Sequence, residues 1–268
     1  MTTLSYSILD TAPSSLHKTS VLVTGETEAL VVDAAFTRAD GHRIVAAVLD
    51  SGRTLGTVVI SAGDPDFYFG GEVIADAFPG ARFVAPDDVI HHIRASFEGK
   101  LKAWAHLGAN LPTRLVEIEE LTGSILTVDG VPIEVRRGSD QLGDRAWYLW
   151  EPASRSLFGG VMLFEGLHVW TADTATRALR AEWVRVLDDL LDLAPSYVVA
   201  GHRAAGAPTD ATAIRHTRAY LERFEALAAT SPDGATLEAA LIAAYPDAGL
   251  AIAAGLGSKV AKGEMTWG

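Results

Sequence analysis

The chain has 268 residues, of which 49% are apolar and 21% charged, and this length and composition exclude a disordered, collagen-like or coiled-coil protein. With 22 Lys and Arg against 34 Asp and Glu, the net charge is −12, so we expect neither nucleic acid nor an anionic membrane as a partner. The sequence contains no cysteine, which excludes a disulfide scaffold, a thiolate metal site and a cysteine nucleophile.

The first third of the chain alternates predicted strands and helices. Strand patterns occupy Leu4–Leu9, Val21–Thr24, Leu30–Asp33, Thr57–Ser61 and Arg82–Ala85. Apolar residues at helical spacing predict helices over Arg38–Ser51 and Asp87–Glu98. The strand Thr57–Ser61 has an unbroken apolar centre, which is typical of burial on both faces, and it leads into a predicted loop over Ala62–Gly71.

The middle third reads as consecutive strands, and the last third is again mostly helical. The strands are predicted at Ser124–Val128, Val131–Arg136, Ala146–Glu151 and Ser156–Gly159. Asp129-Gly130 is a strong hairpin signal between the first two of them. A helix over Thr174–Leu193 with Asp173 as its N-cap is followed by the strand Tyr197–Ala200, by helices at Asp210–Ala228 and Thr236–Ala244, and by a Gly/Ala-rich tail.

No repeat, linker or composition shift divides the sequence. We therefore expect a single domain over residues 1–268, layered as helix, sheet, sheet and helix, with a C-terminal helical extension at about 208–268. Met1–Pro13 lacks the features of a signal peptide, and no apolar run approaches the ~18 residues of a membrane span. The sequence predicts a cytoplasmic protein that does not bind membranes; a homodimer is compatible with it but nothing argues for one.

Chemically interesting side chains follow two of the apolar strands. Asp64 and Asp66 come after the strand that ends at Ser61, and His202 follows the strand Tyr197–Ala200. Ligands of open α/β folds bind at such carboxyl ends of strands, although Asp-Pro-Asp is also ordinary turn chemistry, so both interpretations stay open. The pair His91-His92 is not a metal site by itself, because neighbouring residues on a helix point apart.

Three segments of the chain resemble the metallo-β-lactamase superfamily. Ser61–Gly71 resembles a degraded form of its His-x-His-x-Asp-His signature. Leu157–Val161 with Gly166–Trp170 resembles its strand, Gly-Asp and loop segment, and Tyr197–His202 resembles its late Gly-His strand end. The C-terminal helices are similar to those of a small-molecule hydrolase branch. The resemblance covers nearly the whole chain and implies an α/β protein with an αββα sandwich and a site along the shared edge of the two sheets.

The resemblance also implies where a member of this family would bind one or two metal ions, usually zinc. Four of those positions have lost a good ligand, namely Ala62, Phe67, Ser139 and Val161. Asp64, Asp66 and His202 keep ligand-type side chains. Because a catalytic zinc needs roughly three protein ligands and a water, these three leave room for a weak single zinc, manganese or iron ion. The losses favour a protein without a metal cofactor.

We therefore predict a metal-independent enzyme that acts on a small molecule. Asp66 and His202 are the candidate catalytic residues, as a general acid/base pair in which His202 is expected to be charged beside Asp66. The candidate substrate-binding residues are Asp64, Phe67, Tyr68, Ser139, Val161, His168 and Trp170. Two alternatives stay open: a mononuclear metal hydrolase of an ester or lactone, and a non-catalytic binding or scaffold paralogue, which a pocket filled by Phe67 would favour.

Overall fold

A computed structural model describes residues 3–267 and contains two main sheets. The first has six strands, in the order β1-β2-β3-β4-β5-β6. These strands are β1 (Ser5–Asp10), β2 (Thr19–Thr24), β3 (Glu28–Val32), β4 (Thr54–Val59), β5 (Arg82–Ala85) and β6 (Glu119–Glu120). β1, β2 and β3 pair antiparallel, whereas β3, β4, β5 and β6 run parallel, so β3, β4 and β5 end at the same edge of the sheet.

The second sheet comes from the middle of the chain and has five strands. They are β7 (Ile125–Val128), β8 (Val131–Arg137), β9 (Trp147–Glu151), β10 (Ser156–Phe158) and β12 (Tyr197–Val198), in the order β12-β10-β9-β8-β7. A separate two-stranded ladder joins β11 (Phe164–Glu165) to β13 (His202–Arg203). This ladder aligns Phe164 with His202 and so brings the late Gly-His segment to the edge where the loops meet.

Eight helices cover the sheets within the described residues. They are α1 (Arg38–Ser51), α2 (Pro65–Tyr68), α3 (Gly71–Ala77), α4 (Asp87–Ala103), α5 (Arg177–Asp192), α6 (Thr212–Thr230), α7 (Gly234–Ala244) and α8 (Ala251–Ala261). In the described part of the chain, no helix combines the length and the apolarity needed to cross a bilayer.

The alternation of side chains along the strands produces the layers. Leu30 and Val32 of β3 point between the two sheets, where they join a buried cluster with Leu149 of β9. Val31, between them in sequence, belongs to the outer cluster with Ile44 of α1. Successive side chains of a strand point to opposite faces, so one strand contributes to two cores. The predicted four-layer αββα arrangement is confirmed.

Three predicted elements differ from the structure. Thr176, not Asp173, caps α5, because its side chain accepts a hydrogen bond from the backbone N–H of Leu179 while the Asp173 carboxylate pairs with Arg145. The predicted loop Ala62–Gly71 contains the short helix α2. The Gly/Ala-rich tail forms the helix α8, because alanine has a high helix propensity. Its Ala253 and Ala254 are buried, and their packing against the core holds the helix in place.

Candidate functional site

A network of hydrogen bonds ties together the loops at the shared edge of the sheets. Oδ1 of Asp33, directly after β3, accepts hydrogen bonds from the backbone N–H of Ser61 at 2.9 Å and from its hydroxyl at 2.7 Å. The backbone N–H of Gly160 donates to the Ser61 hydroxyl oxygen at 2.8 Å. All three residues are buried, so these bonds fix the start of the loop that carries Asp64 and Asp66.

Asp66 and His202 face each other at this edge. Nε2 of His202 lies 3.3 Å from Oδ2 of Asp66, and only 7% and 5% of the two side chains is exposed. Nδ1 of His202 lies 3.0 Å from the carbonyl oxygen of Leu16, which can only accept, so Nδ1–H donates there. In the neutral ring, Nε2 is then an acceptor, and Oδ2 of Asp66 beside it is buried without a hydrogen-bond partner in the described chain.

Burial sets the charges of this pair. Loss of solvation raises the pKa of Asp66 to about 7, with Asp64 adding to the rise and Lys18 opposing it. Loss of solvation, together with the nearby Lys18 cation, lowers the pKa of His202 to about 3. The expectation that His202 is charged beside Asp66 is therefore wrong, because desolvation outweighs the attraction. The proton of the pair belongs to Asp66.

Lys18 supplies a cation at the base of the site. Its Nζ donates to Oδ2 of Asp33 at 3.0 Å and to the carbonyl oxygen of Thr19 at 2.6 Å. Neither the Lys18 nor the Asp33 side chain has any exposed surface. Nζ also lies 4.0 Å from the centre of the Phe67 ring, a cation–π distance.

Phe67 fills the space between these groups. Its ring is fully buried and meets the His202 ring edge-on, with 5.9 Å between the ring centres. Phe164 stacks on His202 with 4.9 Å between centres and 7° between planes. The imidazole is therefore fixed by two aromatic rings, and the position that the resemblance assigns to a metal ligand holds an apolar side chain.

A second cation, Arg145, is held between two carboxylates nearer the surface. Its Nη1 atom lies 3.1 Å from Oδ2 of Asp64 and 3.0 Å from Oδ2 of Asp173. Only 12% of the Arg145 side chain and 21% of each carboxylate side chain is exposed. Sequence reasoning missed Arg145, because its turn lies far from the loop of Asp64 and nothing local indicates the pairing.

The other predicted lining residues differ in their surroundings. Val161 and Arg145 border a cavity of about 10 Å³, the space of one water molecule. The Tyr68 hydroxyl is buried without a hydrogen-bond partner in the described chain, and burial raises its pKa. Ser139 points instead to α5, where its hydroxyl donates to Glu182 at 2.5 Å.

His168 and Trp170 make their contacts with the C-terminal part of the chain. Nδ1 of His168 lies 3.1 Å from the Tyr220 hydroxyl, and both side chains are buried. Trp170 meets Trp267 edge-on, with 5.6 Å between ring centres. The structure thus brings Asp64, Asp66, Phe67 and His202 to one place and gives Ser139, His168 and Trp170 partners elsewhere.

A further group of polar residues lies against the same loop and was also missed. Nδ1 of His92 lies 2.6 Å from Oδ2 of Asp144, and Nε2 of His92 lies 3.0 Å from Nζ of Lys100. Nζ of Lys100 donates to the carbonyl oxygen of Gly63 at 2.6 Å. We call Lys100, His92 and Asp144 the Lys100 relay. His92 and Lys100 are two turns apart on α4, a spacing that could have indicated a shared helix face.

The residues at this edge do not fit a metal ion. Asp64 is already paired with Arg145, and the charge of Lys18 lies close enough to Asp66 to lower its pKa. A divalent ion placed between these carboxylates would meet both cations. No group of three or more His, Asp or Glu side chains among residues 3–267 is arranged to hold a metal.

Comparison with known proteins places the fold. No family model matches the chain, and no curated protein matches it significantly. A metallo-β-lactamase family protein from Thermus thermophilus is 20% identical with a TM-score of 0.66, covering 95% of this chain and 91% of that chain. A β-lactamase domain protein from Burkholderia ambifaria is 15% identical with a TM-score of 0.67, covering 97% and 84%. A metallo-β-lactamase from Pontibacter korlensis is 16% identical with a TM-score of 0.53, covering 82% and 94%.

Proposed function

The chain has the metallo-β-lactamase fold, and we propose that it uses this fold as a metal-independent enzyme acting on a small molecule. The observation that carries the proposal is the ion pair of Arg145 with Asp64 at 3.1 Å. A guanidinium in contact with a would-be ligand competes directly with a metal ion for the same oxygen. The apolar residues Ala62, Phe67 and Val161 offer no donor that could replace it.

The chemistry proposed for the site is general acid/base catalysis by Asp66 and His202. Asp66 holds a proton near neutral pH because burial raises its pKa to about 7. A carboxyl group with such a pKa can donate a proton to substrate and take one back at the same pH. His202, neutral and fixed by Leu16, presents Nε2 as an acceptor for that proton. Elimination, isomerisation, cyclisation and metal-free hydrolysis are all compatible with such a pair.

Metal content is the first test of this proposal. We expect the purified protein to hold far less than one metal ion per chain after incubation with zinc, manganese or iron(II) and dialysis. A chelator should leave its melting temperature unchanged. Stoichiometric metal retained through dialysis, measured by elemental mass spectrometry, would instead support the mononuclear hydrolase, with Asp64, Asp66 and His202 as ligands.

The acid/base part needs a separate test with a panel of small esters, lactones and carbonyl compounds. For any compound that the wild-type protein converts, Asp66→Asn and His202→Gln should lower the turnover number by about 10²–10⁴-fold. Ser139→Ala is the matched control, because the Ser139 hydroxyl is hydrogen-bonded to Glu182 and not to Asp66 or His202. Unchanged turnover in both variants would refute the catalytic role of the pair.

A second candidate function, a non-catalytic binding or scaffold protein, is favoured by the complete burial of Phe67. Phe67→Ala separates the two candidates. If the ring only replaces a lost metal site, its removal should destabilise the fold by about 3–5 kcal/mol and create no activity. If the ring forms the wall of a working pocket, the variant should change the affinity for substrate. Phe67→Leu, which keeps most of the volume, serves as the control for packing.

A further inference from the structure

The Lys100 relay places a primary amine beside an imidazole and a carboxylate, against the loop that carries Asp64. We propose that Lys100 captures an aldehyde or ketone substrate as an imine, with His92 as the base that takes its proton. The inference deepens the proposed function and rests on it for the position of the substrate. It names carbonyl compounds as the substrate class.

The hydrogen bonds within the relay point in one direction. The Asp144 carboxylate accepts at 2.6 Å from Nδ1 of His92, so Nε2 of the neutral ring is an acceptor. That acceptor lies 3.0 Å from Nζ of Lys100. A carboxylate that orients an imidazole toward a nucleophile, and stabilises the imidazolium that forms, is the arrangement by which proteins activate weak nucleophiles.

Burial of Lys100 disfavours its ammonium form relative to that of an exposed lysine. Burial lowers the pKa of Lys100, and this effect outweighs the carboxylates that act in the opposite direction, those of Asp64, Asp66, Asp144 and Asp173. A lower pKa leaves a larger share of the amine unprotonated and nucleophilic at neutral pH. Lys100 is half-buried, so part of the residue is exposed to solvent.

The loop that carries Asp64 makes room for the relay. Gly63 accepts from Lys100 through its backbone carbonyl at 2.6 Å. A Cβ atom at Gly63 would lie 2.5 Å from Nδ1 of His92 and 2.8 Å from Oδ2 of Asp144, closer than real contacts allow. The relay and the loop therefore fit together only because residue 63 has no side chain.

The reaction balances without any further reagent. Lys100 passes one ammonium proton to His92, and the neutral nitrogen attacks the carbonyl carbon, forming a C–N bond while the C=O π electrons move to oxygen. His92 returns its proton, and after proton transfer from nitrogen to oxygen the oxygen leaves as water. One carbonyl compound and one ammonium group thus become one protonated imine and one water.

Reductive trapping tests the proposal on the intact wild-type protein. The protein is incubated at pH 7 with pyruvate, or with glycolaldehyde, and with cyanoborohydride, and each lysine is followed by peptide mass spectrometry. The chain has only five lysines, and the exposed Lys102 and Lys259 serve as internal references. We expect the adduct at Lys100 to form clearly faster than at Lys102, because burial lowers the pKa of Lys100 and leaves more of its amine unprotonated.

Variants of the relay complete the test. Lys100→Arg should abolish the fast adduct, and His92→Gln should slow it while Lys102 is labelled as before. Labelling of Lys100 no faster than Lys102, with both probes, would overturn the proposal. The same trapping in Asp66→Asn separates the two proposals, because fast labelling there together with lost turnover would leave the imine standing and place the acid/base step at Asp66.

Discussion

Nε2 of His202 and Oδ2 of Asp66 lie 3.3 Å apart with both side chains almost fully buried, and burial shifts their pKa values so that the pair holds one proton at mildly acidic pH. Folding moves that proton from one residue to the other. In the unfolded chain, at mildly acidic pH, the imidazole is charged and the carboxyl is ionised. In the folded protein the carboxyl holds the proton and the imidazole is neutral, because the pKa of Asp66 rises to about 7 and that of His202 falls to about 3.

This exchange predicts opposite pH dependences for two variants. Between about pH 4 and pH 7, Asp66 by itself binds more protons in the folded protein than in the unfolded chain. Its contribution to the free energy of unfolding therefore falls as pH rises through that window. Between about pH 3 and pH 6.5, His202 by itself binds more protons in the unfolded chain than in the folded protein. Its contribution to the free energy of unfolding therefore rises with pH. In the wild-type protein the two slopes cancel between about pH 4 and 6.5.

Asp66→Asn should therefore become less stable than the wild-type protein as pH falls, and His202→Gln should become less stable as pH rises. Each slope is at most about 1.4 kcal/mol per pH unit, the value for one proton. Urea unfolding of both variants from pH 4 to 7, with the wild-type free energy of unfolding subtracted, measures the two slopes. Slopes of the same sign would show that the proton is not exchanged in this way.

Removing Arg145 should destabilise the protein and open the site to metal. Arg145→Met leaves Asp64 and Asp173 without their cation and should lower the free energy of unfolding by about 3 kcal/mol. This is the lower end of the range for a broken buried ion pair, because both carboxylate side chains are 21% exposed. The freed carboxylates should bind zinc or manganese measurably in calorimetry. Arg145→Lys keeps the charge and should not bind metal. A variant as free of metal as the wild-type protein would mean that other groups exclude the ion.

Gly63→Ala should disrupt the Lys100 relay. The new methyl group would displace the His92 ring and the Asp144 carboxylate, so we expect a loss of about 1–3 kcal/mol in stability and slower labelling of Lys100. Gly56→Ala is the matched control, because nothing lies within 4 Å of its added Cβ. The melting temperature and the rate of reductive labelling check both variants. Equal behaviour of the two would contradict the close packing at Gly63.

Lys18 and Asp33 should be coupled in stability. Both side chains are fully buried, so Lys18→Met leaves an uncompensated carboxylate and should cost about 3–5 kcal/mol. Asp33→Asn should also be costly, since Asp33 holds Ser61 as well. The double variant should lose less than the sum of the single variants, by about 0.5–3 kcal/mol, as contacting charges do in a double-mutant cycle. Strict additivity would show that the pair does not interact.

Local patterns in the sequence correctly predicted most of the fold. Asp129-Gly130 predicted a hairpin, and both residues have positive φ, 48° and 76°, with Val128 paired to Val131 across the turn. The unbroken apolar centre of Thr57–Ser61 predicted a strand buried on both faces, and Val58 and Val59 indeed belong to two different cores. The two-residue strands of the β11-β13 ladder could not be predicted, because pieces so short carry no periodic pattern and form only where Phe164 and His202 meet.

The candidate site was predicted only in part. Asp66 and His202 were expected to meet, and the structure places them together, although their separation in sequence gave no direct sign of it. The charge of His202 was wrongly predicted, because a sequence indicates which groups are neighbours but not how much water they lose. Lys18 and Arg145 were missed, since nothing in their own segments indicates their distant partners. Lys100 was missed as well, although its spacing from His92 on α4 indicates a shared helix face.

The sequence by itself determined the layers of this protein and the apolar character of Ala62, Phe67 and Val161, because burial patterns and residue types are local properties. The tertiary structure alone decided what surrounds the remaining carboxylates. Arg145 contacts Asp64 from 81 residues away in sequence, and Lys18 reaches Phe67 from the segment just before β2. Long-range charge pairing and desolvation depend on how loops from both sheets pack at one edge, and that packing sets the charges of Asp66 and His202.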